Sequence, residues 1–135
     1  MGEAYFVVCR DVHKSLKEIG RDGLGAVLVD FDFALCGKKL EAAYELARMA
    51  FESGTNVAVD LNGEILLFLS CRTHVKSAIE AAGAKNGKKA VLFVYGKRGG
   101  LEFDKLGIEK ADGAFEKIDE GKVKKEIERM ALSRA

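Results

Sequence analysis

The chain has 135 residues, of which 22 are Lys or Arg and 21 are Asp or Glu, so its formal net charge is +1. A chain of this length can build one good hydrophobic core, and we expect a single domain over residues 1–135. The balanced charge excludes proteins that attract nucleic acid over their whole surface, so any such contact must be local.

The sequence also restricts where the protein works. Its first residues, Met1-Gly2-Glu3-Ala4, lack the basic segment and apolar run of a signal peptide. No apolar run approaches the roughly 20 residues that span a bilayer. Three widely spaced cysteines (Cys9, Cys36 and Cys71) do not form the even-numbered set of a disulfide framework. We therefore expect a soluble, cytoplasmic protein with free thiols.

The first third of the chain alternates strands and helices. Residues 4–9 are aromatic and β-branched, which predicts a strand, and Asp11 is a suitable N-cap for a short helix that Gly20 would end. Residues 26–33 predict a second strand, and residues 40–53 carry the clearest helical apolar face, ended by Gly54. We expect Lys39 and its charged neighbours to coat the outer side of that helix.

The middle of the chain predicts two helices that meet at a polar elbow, residues 70–74. Residues 65–69 are apolar, Asn62 is a plausible N-cap, and Glu64 suits the first turn because a negative charge there complements the helix dipole. The second helix shows one apolar stripe at helical spacing: Val75, Ala78, Ile79 and Ala82. Gly83 should end it in the left-handed conformation.

The last third predicts a central strand at 89–95, a basic loop at 96–100 and a short helix at 101–106 closed by Gly107. Residues 114–118 indicate a weaker edge strand, and residues 120–133 a final amphipathic helix. The fold class predicted is α+β, with a small, mainly antiparallel four-stranded sheet and helices packed over it.

No constellation of residues indicates catalysis. Asp30 and Asp32 would project from one strand face about 7 Å apart, but no third ligand accompanies them, and a solvated strand end is the favoured interpretation. A zinc site could combine two cysteines and two histidines, but their spacing does not match that of structural zinc sites: Cys9, His13, Cys71 and His74. The glycines at 96–100 lack the spacing of a phosphate loop. We expect no enzyme activity, no cofactor and no metal.

Two surfaces remain as candidates for binding. Basic residues gather at the elbow (Arg72, His74 and Lys76), after the second helix (Lys85, Lys88 and Lys89) and in the basic loop (Lys97 and Arg98). Together they could hold a nucleic-acid backbone, with Phe68 and Val75 enclosing unpaired bases. A solvated surface and ordinary core residues are the alternative. On the last helix, Ile127, Met130 and Leu132 could meet a partner protein, although they could equally be packing contacts.

The central stretch resembles the small regulatory, kinase-binding subunit family of the KEOPS complex, known in eukaryotes as TPRKB. The matching positions are Glu64-Ile65-Leu66, Ser70, Arg72, Val75, Ala78-Ile79, Gly83, Lys85 and Gly87. The sequence departs from the family pattern at Cys71, where Gly is usual, at His74, where Gln is usual, and at Val75, where Ile is usual. The resemblance covers most of the chain and is densest from Leu40 to Gly87.

The resemblance implies a non-catalytic subunit that binds the kinase-like ATPase of the complex. It further implies recruitment of tRNA through its 3′ CCA end, in support of threonylcarbamoyladenosine (t6A) synthesis. The RNA-binding residues are then expected to be Arg72, His74, Lys76, Lys85, Phe68 and Val75. The alternative is a small allosteric or ligand-binding domain without an RNA role, using the Asp30/Asp32 face or a pocket under the elbow.

Overall fold

A computed structural model describes residues 2–96 and 101–134. Lys97 and Arg98, two members of the predicted basic set, lie outside the described residues. The strands are β1 (Glu3–Cys9), β2 (Gly25–Asp30), β3 (Lys89–Gly96) and β4 (Ile108–Lys110). The helices are α1 (Val12–Arg21), α2 (Phe31–Ala34), α3 (Gly37–Ser53), α4 (Leu61–Ser70), α5 (Val75–Ala82), α6 (Phe103–Leu106) and α7 (Glu120–Leu132).

The four strands form one antiparallel sheet in the order β2-β3-β1-β4, which confirms the predicted α+β class. Leu92 of β3 lies opposite both Tyr5 of β1 and Leu28 of β2, so β3 is internal, as its apolar run indicates. The chain divides into two compact units, which we call the sheet unit (1–31 and 84–114) and the helical unit (32–83 and 115–135). The expectation of a single domain stays a prediction.

One face of the sheet carries the core of the sheet unit. Alternate strand residues pack there with Ile19 of α1 and Leu106 of α6. The strand residues of this cluster are Val7, Cys9, Ala26, Leu28, Ala90, Leu92, Val94 and Ile108. Ser15 is also buried, and its hydroxyl donates to the carbonyl of Gly107 at 3.3 Å, which ties α1 to the turn before β4.

In the helical unit, α4 packs against α3, α5 and α7. Seven consecutive residues of α4, Gly63 to Leu69, are buried, as expected of a helix that is apolar on all sides. The buried alanines of α3, at positions 43, 47 and 50, allow close packing, and Gly54 ends α3 in the left-handed conformation with φ 74°.

Several predicted boundaries are wrong. The second strand ends at Asp30, since its partner β3 begins at Lys89, and Phe31 to Ala34 turn into a helix instead. The fourth strand is Ile108–Lys110 rather than residues 114–118, because β4 is stabilised by pairing with β1 and not by its own short, charged sequence. Gly20 lies inside α1, which continues to Arg21.

The caps of the central helices also differ from expectation. Asp60 rather than Asn62 caps α4, and its carboxylate accepts a hydrogen bond from the Gly63 amide at 2.8 Å. Gly83 follows α5 in an extended conformation, with φ −70° and ψ 151°, so it is not a left-handed cap. Within residues 2–96 and 101–134, no helix is both long enough and apolar enough to cross a membrane.

Candidate functional site

The predicted elbow exists, and Cys71 forms its corner. Cys71 adopts the left-handed conformation with φ 54°, and its amide donates to the carbonyl of Phe68 at 3.1 Å. The Arg72 amide reaches back to the carbonyl of Leu67 at 3.2 Å, so the end of α4 is a Schellman motif. Glycine is favoured in this conformation because it has no Cβ atom, so Cys71 occupies a position where a side chain is unfavourable.

The elbow directs positive charge to solvent. Arg72, His74 and Lys76 are all exposed, and across the described part of the chain none of these three side chains forms an ion pair. His74 occupies the N-cap of α5 without a side-chain cap, and the first turn of α5 contains no acidic residue. The helix dipole therefore adds to the positive potential of Arg72 and Lys76.

Two other residues expected to contact RNA make contacts within the protein. Phe68 is 4% exposed, and the Arg134 guanidinium lies 4.6 Å from its ring centre, so Phe68 is a core residue and offers almost no surface for the predicted enclosure of unpaired bases. Lys85 belongs to the sheet unit, where its ammonium lies 3.3 Å from the Asp30 carboxylate, which Lys88 also meets at 3.3 Å. Val75 is partly buried at the start of α5.

Asp30 and Asp32 do not form the strand pair that the alternation suggests. Asp30 is a buried residue of β2, and Lys85 and Lys88 balance the charge of its carboxylate. Asp32 belongs to α2 instead. Among the residues that the structure describes, no group of three or more His, Cys, Asp or Glu side chains could hold a metal ion.

A cleft of about 400 Å³ lies beside Cys71, between α3, α4 and α7. Its walls include Lys39, whose buried ammonium pairs with Glu126 at 3.6 Å, contrary to the expectation that Lys39 coats the outside of α3. Burial raises the pKa of the Cys71 thiol and outweighs the opposite effects of Lys39 and Arg129. A raised pKa leaves less of the reactive thiolate at any given pH.

Of the three residues of the last helix that were predicted to contact a partner, one is well exposed to solvent. Leu132 is 68% exposed and lines a second cleft beside Cys71 and Arg129. Ile127 is partly buried, and Met130 is fully buried, so Met130 belongs to the core and offers no surface to a partner.

Sequence reasoning missed the contact between Glu64 and Arg134. Glu64 is fully buried, and its Oε2 lies 2.9 Å from Nη1 of Arg134. A glutamate in a first helical turn is normally explained by the helix dipole. No local pattern could have linked it to an arginine 70 positions away in the printed sequence.

No protein-family model matches the chain. One curated protein does, the "KEOPS complex subunit Cgi121" of Pyrococcus abyssi, which is 33% identical over 106 residues that cover 76% of this chain. This match supports a Cgi121/TPRKB-like family for the chain. The family resemblance seen at the elbow and its flanking helices is thereby confirmed. The chain spans 61% of the length of this relative.

Proposed function

We propose that this Cgi121 relative is a non-catalytic, cytoplasmic regulatory subunit of a KEOPS complex. It binds the kinase-like ATPase subunit and recruits tRNA by its 3′ CCA end for t6A synthesis. The observation that carries the proposal is the relationship to Cgi121, a protein named as a KEOPS complex subunit. The exposed, unpaired cations of the elbow are consistent with it.

The elbow suits a single-stranded RNA end. Such an end is held by a few phosphate contacts and by contacts to unstacked bases, and it needs no broad basic surface. In the proposal, Arg72, His74 and Lys76 contact the phosphates and bases of the CCA end, beside the apolar side chain of Val75. Lys85 stays a candidate RNA contact, since its side chain is 40% exposed.

A charge reversal at the elbow tests tRNA binding. Arg72→Glu should weaken binding of tRNA at least about tenfold at low salt, since it removes one favourable phosphate contact and adds a repulsive one. Arg10→Glu is the matched control: it makes the same charge change at an exposed arginine that pairs with Glu109 in the sheet unit.

The design of the tRNA distinguishes the CCA end from the rest of the molecule. Binding should also fall when the CCA end is removed, and in that tRNA Arg72→Glu should have little further effect. If Arg72→Glu and Arg10→Glu weaken binding equally, the elbow has no special role and the RNA part of the proposal fails.

Binding to the kinase-like subunit is proposed for the exposed side of α7. Leu132 has the exposure that an apolar contact requires, and Ile127 borders the cleft between α7 and the start of α3. Leu132→Glu should weaken the complex at least about tenfold, because it would bury a charge at the interface. Leu16→Glu, at an exposed leucine of α1, is the control. Equal affinity of both variants in calorimetric titrations with the kinase-like subunit would exclude α7.

The alternative is a small ligand-binding domain without an RNA role, and the cleft beside Cys71 is the feature that favours it. Purification from cell extract separates the two functions. A KEOPS subunit should retain a kinase-like protein and tRNA, whereas a ligand-binding domain should retain neither.

A further inference from the structure

The carboxylate of Glu64 holds the segment that precedes its own helix. Its Oε1 accepts hydrogen bonds from the Val57 amide at 3.0 Å and from the Ala58 amide at 2.8 Å. These bonds fix the connection between α3 and α4, residues 55–60, which we call the 55–60 loop. Val57 and Val59 on this loop are exposed, Val59 to 98%, so its order does not come from burial of these two side chains.

The other oxygen of the same carboxylate holds the segment that follows α7. Glu64 Oε2 lies 2.9 Å from Arg134 Nη1, which also donates to the Thr55 carbonyl at 3.4 Å. The guanidinium of Arg134 covers the Phe68 ring. One fully buried carboxylate therefore contacts two segments that are far apart in sequence.

The energetics of burial make these two contacts interdependent. A buried carboxylate is tolerated because Arg134 balances its charge and the two amides donate hydrogen bonds to Oε1. If Arg134 leaves, the carboxylate gains by reaching water, and the adjacent 55–60 loop, in which Ala58 is buried and Val57 and Val59 are exposed, is the segment that would open. If the loop opens first, water weakens the attraction between Glu64 and Arg134.

We propose that Glu64 couples the order of the 55–60 loop to the seating of the segment after α7. The coupling is reciprocal: whatever displaces Arg134 loosens the loop, and whatever orders the loop strengthens the hold on Arg134. Each segment presents an exposed apolar residue, Val59 in the loop and Leu132 at the end of α7, so contact at one surface is transmitted to the other. This inference concerns the isolated chain and does not depend on tRNA or kinase binding.

Amide hydrogen exchange of the full chain tests the coupling. Arg134→Gln should speed exchange of the Val57 and Ala58 amides at least about fivefold, the lower end of typical couplings between sites. Exchange of the Ala47 amide in the middle of α3 is the internal reference, since it reports general loss of stability. Arg129→Gln is the matched control, because Arg129 lies on α7 and pairs with Glu126 rather than with Glu64.

Two further variants keep the test decisive. Arg134→Lys preserves the charge but loses the planar fork, so it should give a smaller rise than Arg134→Gln while keeping the chain folded. In a Glu64→Gln background the buried charge is absent, so Arg134→Gln should raise exchange at Val57 and Ala58 less than it does when Glu64 is present, because only the direct hydrogen bond from Arg134 to the Thr55 carbonyl is then lost.

Three results would overturn the inference. The first is unchanged exchange at Val57 and Ala58 in Arg134→Gln. The second is a rise no larger than that at Ala47. The third is an equal effect of Arg134→Gln with and without the Glu64 charge.

Discussion

Lys39 Nζ lies 3.6 Å from Glu126 Oε2, and this pair joins the first turn of α3 to α7 beside the elbow cleft. The lysine side chain is only 7% exposed, so it depends on Glu126 for its counter-charge. Glu126→Gln should lower the free energy of unfolding by about 1–3 kcal/mol, less than for a fully dry pair because Glu126 is partly exposed.

The matched variant at this pair is Lys39→Met, which replaces the ammonium by an apolar group of similar length. It should remain within about 1 kcal/mol of the original protein, since apolar replacement of a buried ion is often neutral. Urea denaturation of both variants measures the difference. A larger loss of unfolding free energy for Lys39→Met than for Glu126→Gln would contradict this prediction. It would show that the attraction between the two charges exceeds the cost of removing them from water.

The left-handed backbone of Cys71 predicts that glycine stabilises the elbow. A side chain at this conformation costs about 1–2 kcal/mol relative to glycine, and the greater freedom of glycine in the unfolded chain offsets part of the gain. Cys71→Gly should therefore be more stable than Cys71→Ala by about 1 kcal/mol in thermal or urea unfolding. Cys71→Ala controls for loss of the thiol, because it keeps a Cβ atom, and equal stability of the two variants would contradict the prediction.

Acid should destabilise the protein partly through Glu64. Burial by itself raises the pKa of the Glu64 carboxyl, but hydrogen bonds from Arg134, Ala58 and Val57 outweigh this, so the pKa lies below its usual value. The unfolded chain then binds a proton at a higher pH than the folded chain does. The stabilisation is complete above the ordinary pKa of about 4.3 and is lost as the pH falls through the lowered pKa.

Glu64→Gln and Arg134→Gln provide the comparison for that titration. Both remove the lowered carboxyl pKa, so their free energies of unfolding should fall less than that of the original protein between about pH 6 and about pH 3. Urea unfolding at a series of pH values gives the three curves. Parallel curves would mean that Glu64 does not contribute to the acid sensitivity.

Asp30 should matter more for stability than either of its lysines. Its carboxylate is buried and meets both Lys85 and Lys88 at 3.3 Å, while the lysine side chains are about half exposed. Asp30→Asn should cost about 1–3 kcal/mol, since it leaves two cations near a buried amide. Lys85→Ala and Lys88→Ala should each cost less than about 1 kcal/mol, because the other lysine remains. If either lysine variant lost more unfolding free energy than Asp30→Asn, the prediction that Asp30 matters most would be wrong.

Local patterns predicted the elements whose own residues determine them. The helical stripe of α3 and the apolar run of β3 were correct because each buries a continuous face at the period of its structure. The elbow was also predicted, since it is a break between two such patterns. β4 was missed because three residues with two charges form a strand only when β1 offers a partner.

The sequence by itself determined the α+β class, the central helices with their polar elbow, and the resemblance to the KEOPS subunit family. Each of these depends on residues that are neighbours along the chain. The tertiary structure alone decided which of the candidate residues are available at the surface. It buried Phe68 and Met130, paired Lys39 with Glu126 and Asp30 with two lysines, and placed Arg134 on Glu64. Burial and charge pairing depend on residues brought together from distant positions, so no spacing in the sequence could specify them.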